Sequence, residues 1–152
     1  MTQELINKII DWGRERSIDN PQAQMTKVIE EYSEMNTSIW ENKVEEDIID
    51  AIGDLQVTLI ILADTMGNTI TPDQPELRST LPNILESIST LNRYIANESY
   101  GFAQKMIDQL WTMVRQLSRK VGYDPDECLQ FAYNQIKNRE GETINGVFVK
   151  EQ

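Results

Sequence analysis

Apolar residues recur every three or four positions along most of this chain, which is the period of an amphipathic helix. Leu5, Ile9 and Trp12, with Ile6 and Ile10 beside them, predict a first helix over 3–16. The stretch from Ser17 to Gln22 (SIDNPQ) is a turn-rich connector, and Pro21 suits the start of the next helix. The second helix is expected from Gln22 to Trp40. Its seam is Met25, Val28, Tyr32, Met35 and Ile39, spaced alternately by three and four. A short polar junction, Glu41 to Glu46, separates it from a third helix over 45–65. There Ile48, Ile52, Leu55, Leu59 and Leu62 form the seam, while Val57, Ile60 and Ile61 add apolar side chains on other faces. A helix apolar nearly all round is buried nearly all round. The third helix therefore lies at the centre of a bundle or at a subunit interface.

The segment Gly67 to Pro75 (GNTITPDQP) is rich in turn formers and reads as a loop. A fourth helix begins near Leu81–Pro82 and uses Leu81, Ile84, Leu85, Ile88, Leu91 and Ile95. The run Asn97 to Gly101 interrupts the pattern. A fifth helix over 102–121 uses Phe102, Met106, Leu110, Met113, Leu117 and Val121. Gly122 suits the position just past a helix end. Asp124, Pro125 and Glu127 then make a capping-box start for a sixth helix reaching to about Arg139. In the tail, Asn145-Gly146 stands between apolar residues and predicts a small hairpin or an extended arm. The expected fold is all-α, a bundle of five to six helices with a short C-terminal extended tail or hairpin. A chain of 152 residues is expected to form one domain with its own core.

Composition narrows the chemistry. The chain has no histidine, one cysteine and a net charge of −11. Without histidine there is no Ser-His-Asp or Cys-His pair and no histidine-ligated zinc. An acidic surface disfavours nucleic-acid partners, which require cationic patches. No run of about 18 apolar residues predicts a membrane span, and the amphipathic N-terminus lacks the apolar stretch of a signal peptide. Cys128 alone makes no internal disulfide, so a cytoplasmic setting is expected. The negative charge by itself fits simple solubility as well as it fits a metal site.

Asp54 sits in DAIGDLQVTLIILA, among almost wholly apolar neighbours. A buried carboxylate is costly unless a cation or donors hold it. Asp50, one turn earlier, faces much the same way, and two like charges at that spacing destabilise a helix. Glu31 and Glu34 share one flank of the second helix with Lys27, whereas Glu30 lies further toward solvent. Glu-x-x-Glu is also common on solvated helices. Two acidic faces on consecutive antiparallel helices are, however, how bundles build metal sites. Oxygen-only ligands select hard cations, Mg2+ first and Mn2+ second, and such sites commonly take substrate phosphates.

NPQAQMTKVIEEYSE followed by DAIGDLQVTLIILA resembles the MazG-like members of the all-α nucleoside triphosphate pyrophosphohydrolases, in which a Lys-x-x-Glu-Glu-x-x-Glu helix precedes a Glu-x-x-Asp helix. The tail YNQIKNREGETINGVFVKEQ is similar too. The resemblance covers residues 1–67 and 121–152, and leaves 68–120 as an inserted or extended helical hairpin. Glu30, Glu31 and Glu34 match the Glu-Glu-x-x-Glu, and Asp54 matches the final Asp. The Glu of Glu-x-x-Asp falls at Ala51, a departure that Asp50, with Asp47 as a further candidate, is placed to offset. The resemblance implies Mg2+-dependent hydrolysis of nucleoside or deoxynucleoside triphosphates to monophosphate and pyrophosphate. Glu31, Glu34, Asp50 and Asp54 would hold metal, and Glu30 or Glu31 would act as general base.

Lys27 would touch phosphate or pair with Glu31. Asn134, Lys137 and Arg139 fall in a stretch similar to the family's phosphate-contacting one, although cations at a helix end also complement its dipole. Trp12 and Trp40 would stack on a base or belong to the core. A homodimer or homotetramer is expected from the apolar third helix. Two rivals stand beside this reading. One is a dUTP- or dCTP-specific diphosphatase. The other is a non-catalytic scaffold or regulator with a degenerate site, which Ala51 favours.

Overall fold

Three of the helices begin where the sequence supplies a cap. In the computed structural model, which describes residues 2–70 and 77–151, Asn20 opens the second helix by accepting from the Ala23 amide at 3.1 Å. Thr80 does the same for the fourth at Asn83, and Asp124 for the sixth at Asp126. Each is followed by proline within the first turn, where the missing N–H costs nothing. Among the described residues the elements are α1 (Thr2–Glu15), α2 (Pro21–Trp40), α3 (Glu45–Thr65), α4 (Leu81–Ala96), α5 (Tyr100–Lys120), α6 (Pro125–Ile136), β1 (Gly141–Ile144) and β2 (Val147–Lys150). The protein is an all-α bundle with a short C-terminal hairpin. The expected loop is described as far as Ile70, and its remainder, Thr71 to Pro75, lies outside the described residues.

α3 is the hub. It packs against α1, α2, α5 and α6, and α4 packs on α5 and α2. Leu55, Leu59, Ile60 and Leu62 are buried within this one chain, and each contributes about 1.5–3 kcal/mol relative to exposure. A subunit interface is therefore not needed to cover α3, and the expectation of a dimer or tetramer loses that basis. Gly53 lets α6 approach closely: a Cβ there would stand 2.1 Å from the Cys128 carbonyl oxygen and 2.7 Å from the Ala132 Cβ. Among the described residues, no helix is long and apolar enough to cross a membrane.

Three local expectations are corrected. α6 ends at Ile136, not near Arg139. Ile136 is the last buried position, and Lys137 to Glu140 are all exposed, so continuing the helix would bury nothing. The capping box at Asp124 is a simpler cap, reaching the Asp126 amide at 2.8 Å. Lys27 pairs with Glu30 at 3.3 Å, not with Glu31, because Glu31 turns inward.

The tail forms a hairpin. Asn145 and Gly146 both have positive φ, 53° and 82°, as a two-residue turn of the mirror-image type requires. Ile144 then pairs with Val147, and Gly141 with Lys150.

Candidate metal centre

α2 and α3 are adjacent, and their facing sides carry the carboxylates. Glu31 and Glu34 are three residues apart on α2 and so share a face. Asp54 meets them from α3. One oxygen of each lies within 4.8 Å of the others. Glu31 and Asp54 are half-buried and Glu34 is exposed.

This grouping is electrostatically costly. Burial, then the nearby charges of Asp54, Glu34 and Glu30, pushes Glu31 up to about 8. Burial, followed by Asp50 and Glu34, pushes Asp54 up to about 7, with Arg139 opposing. Burial also raises Asp50, again against Arg139. Removing water disfavours the charged carboxylate, and like charges add to the cost. The Oε2 atom of Glu31 is buried with no hydrogen-bond partner among the described residues. A group of three carboxylates with an oxygen that lacks a donor can hold a metal ion, which would relieve both costs.

The three residues line a cavity of about 560 Å3 together with Glu30. Three cations, Lys27, Arg139 and Lys150, line it too, as do the apolar side chains of Trp12, Val57, Ile61 and Phe148. The C-terminal hairpin forms one wall and rests on the helices through a few side-chain contacts. Phe148 meets Trp12 edge to face with ring centroids 5.3 Å apart. The Arg16 guanidinium lies 4.3 Å from the Trp12 ring centroid and donates to the Arg139 carbonyl. The Thr143 hydroxyl donates to the Arg16 carbonyl. Gly146 abuts α2, where a Cβ would meet the Ala23 Cβ at 2.8 Å.

Of the residues expected from sequence, Glu30, Glu31, Glu34, Asp54, Lys27 and Arg139 come together on this cavity. Asp50 does not join the group of three. It lines a neighbouring hollow of about 490 Å3 with Glu34, Asp47 and Lys43. Glu34 faces both spaces. Ala51 is buried, at 4% exposure.

Trp40 stands 83% exposed at the end of α2 and does not line the cavity. Asn134 accepts from Gln130 at 2.9 Å on the outer face of α6. Lys137 is exposed, and neither it nor Asn134 reaches the cavity. Trp12 is buried, as its core reading expects, and one side of it lines the cavity.

Phe148 and Lys150 were not anticipated. Their spacing of two along a strand places them on one face, which is the signal the tail carried.

No family model matches this chain, and no solved structure does. A stretch of 65 residues is 38% identical to an uncharacterized 18.2 kDa protein from the rep-hol intergenic region of Haemophilus phage HP1. The match covers 40% of this chain and 39% of the phage protein.

Proposed function

We propose that this chain is a Mg2+-dependent pyrophosphohydrolase of nucleoside or deoxynucleoside triphosphates, in the manner of the MazG-like enzymes it resembles. One observation carries the reading: a carboxylate triad and three cations, Lys27, Arg139 and Lys150, line the same cavity. Carboxylates alone would repel a triphosphate, and cations alone would need no triad. The two together suit a phosphate chain accompanied by a hard cation.

Glu31, Glu34 and Asp54 would hold Mg2+, or Mn2+ in its place, with Asp50 adjoining. The ion supplies neutralisation of phosphate charge and acidification of water. With Glu31 engaged, Glu30 on the same cavity takes the proton from the attacking water. Arg139, Lys27 and Lys150 draw in the phosphates. Cleavage between the α and β phosphates follows from the family resemblance.

Pyrophosphate release from a panel of ribo- and deoxyribonucleoside triphosphates, with Mg2+ and with EDTA, tests this. Metal-dependent pyrophosphate with an equal yield of monophosphate is expected, and the panel would expose a dUTP or dCTP preference. Folded protein that releases none from any triphosphate would favour the scaffold reading. A specific observation supports that rival: a buried alanine stands where the family has a ligand glutamate.

A further inference from the structure

The cavity extends well past the carboxylates. Gln24 precedes Glu31 by seven residues on α2, which is two turns, or about 10 Å along the axis on the same face. Thr58 follows Asp54 by four on α3, and it meets Gln24 just as Asp54 meets Glu31, so the two helices run antiparallel along the cavity. Gln24 and Thr58 both line it.

Gln24 is polar yet only 5% exposed. Its Nε2 donates to the Thr58 carbonyl at 3.3 Å. That bond settles which end of the amide is which, and leaves Oε1 as an acceptor. Among the described residues nothing donates to Oε1. The other polar groups at this end are already committed. The Trp12 ring N–H donates to the Ile136 carbonyl at 3.0 Å, and the Thr58 hydroxyl donates to the Leu55 carbonyl at 2.8 Å. What remains is an apolar slot of Trp12, Val57, Ile61 and Phe148 with one oriented acceptor. Planar, mostly apolar surface with a hydrogen-bonding edge is the chemistry of a nucleobase.

We propose that this end of the cavity takes the base of the nucleotide, and that Gln24 reads the base by accepting one of its N–H groups. The inference rests on reading the cavity as a nucleotide site. The span of about two helical turns leaves room for a sugar between base and carboxylates. A site built to pair with an N–H discriminates strongly against a ligand that lacks it, because the acceptor is then left unpaired.

The test uses Gln24→Met, which keeps length and removes both polar atoms. It is compared with wild type in pyrophosphate release from the four deoxynucleoside triphosphates. Binding of the four monophosphates is followed in parallel by saturation-transfer NMR. Wild type should rank the bases. The variant should lose at least about tenfold in kcat/KM on the favoured base, through KM, and flatten the ranking.

A second arm needs no variant: methylating the ring or amino nitrogen of the favoured base should cost wild type a similar factor. An unchanged ranking in folded variant, or methylated analogues used as well as their parents, would overturn the proposal. Were Gln24→Met to misfold, the analogues decide. If wild type releases no pyrophosphate but binds monophosphates with a ranking that Gln24→Met removes, the catalytic reading falls and the base site stands. If wild type binds no nucleotide, both fall.

Discussion

At Glu31 and Asp54 the folded chain holds protons that the unfolded chain would release. Both carboxyls are raised, to about 8 and about 7, chiefly by burial. Between the ordinary carboxylate range near pH 4 and those raised values, the native state binds more protons than the unfolded one. Their contribution to stability is therefore full at acid pH and is lost as pH rises through about 7 and about 8. The melting temperature of metal-free protein should fall from pH 5 to pH 8.5, and the gain from millimolar Mg2+ should grow over the same range. Asp54→Asn should flatten that pH slope and stabilise metal-free protein at pH 8 by on the order of 1 kcal/mol, since it removes a half-buried charge. A metal-free profile with the same slope in wild type and Asp54→Asn would contradict this account. Turnover should respond in the opposite sense. Asp54→Asn and Glu34→Gln should each lower kcat/KM at least about a hundredfold, because each removes a negatively charged ligand. Wild-type turnover in either would mean that the ligands have been misassigned.

Between elements, the closest constraint sits next to the site. Gly53 precedes Asp54 and lets α6 lie against α3, where an added methyl would clash with the Cys128 carbonyl. Gly53→Ala should cost about 1–3 kcal/mol or more in urea denaturation, despite the better helix propensity of alanine. It should also weaken substrate affinity, since Arg139 follows α6 into the cavity. A stabilised Gly53→Ala protein would show that the helices can separate freely. The helices themselves were legible because their apolar seams repeat every three and four residues, and Asn20, Thr80 and Asp124 sit at the capping positions. The triad was legible as well, because acidic residues on two successive helical faces are a local pattern. What depended on distant partners was not. Lys27 chooses Glu30 because Glu31 faces α3. Trp40 read as a base-stacking or core residue, but the helix end leaves it in solvent and so outside the core. Gln24 reads as one more polar residue until the Thr58 carbonyl, 34 residues away, fixes its amide.

For the molecule as a whole, a net charge of −11 opposes any anionic ligand. On the proposed reading, binding a triphosphate would depend on the few cations on one cavity and on the metal. These two contributions are partly separable in the fold: Lys27 shares α2 with the triad, but Lys150 does not. The triad lies entirely on α2 and α3, whereas Phe148 and Lys150 come from a hairpin that leans on α1 and the start of α2. A chain ending at Glu140 would lose the hairpin wall but keep the hub packing of α3 on α1, α2, α5 and α6. It should remain helical by circular dichroism, with a lowered melting temperature because Trp12 loses its partner. Its stabilisation by Mg2+ should persist. Its KM for the best triphosphate should rise at least about tenfold, because one phosphate cation and the aromatic wall are gone. Loss of the Mg2+ response along with the hairpin would show that the ion needs groups beyond the triad. An unchanged KM would show that the hairpin braces the bundle without touching substrate. Persistence of the one response with loss of the other would separate metal binding from nucleotide binding, with α2 and α3 holding the ion and the chain's last strand holding the substrate against it.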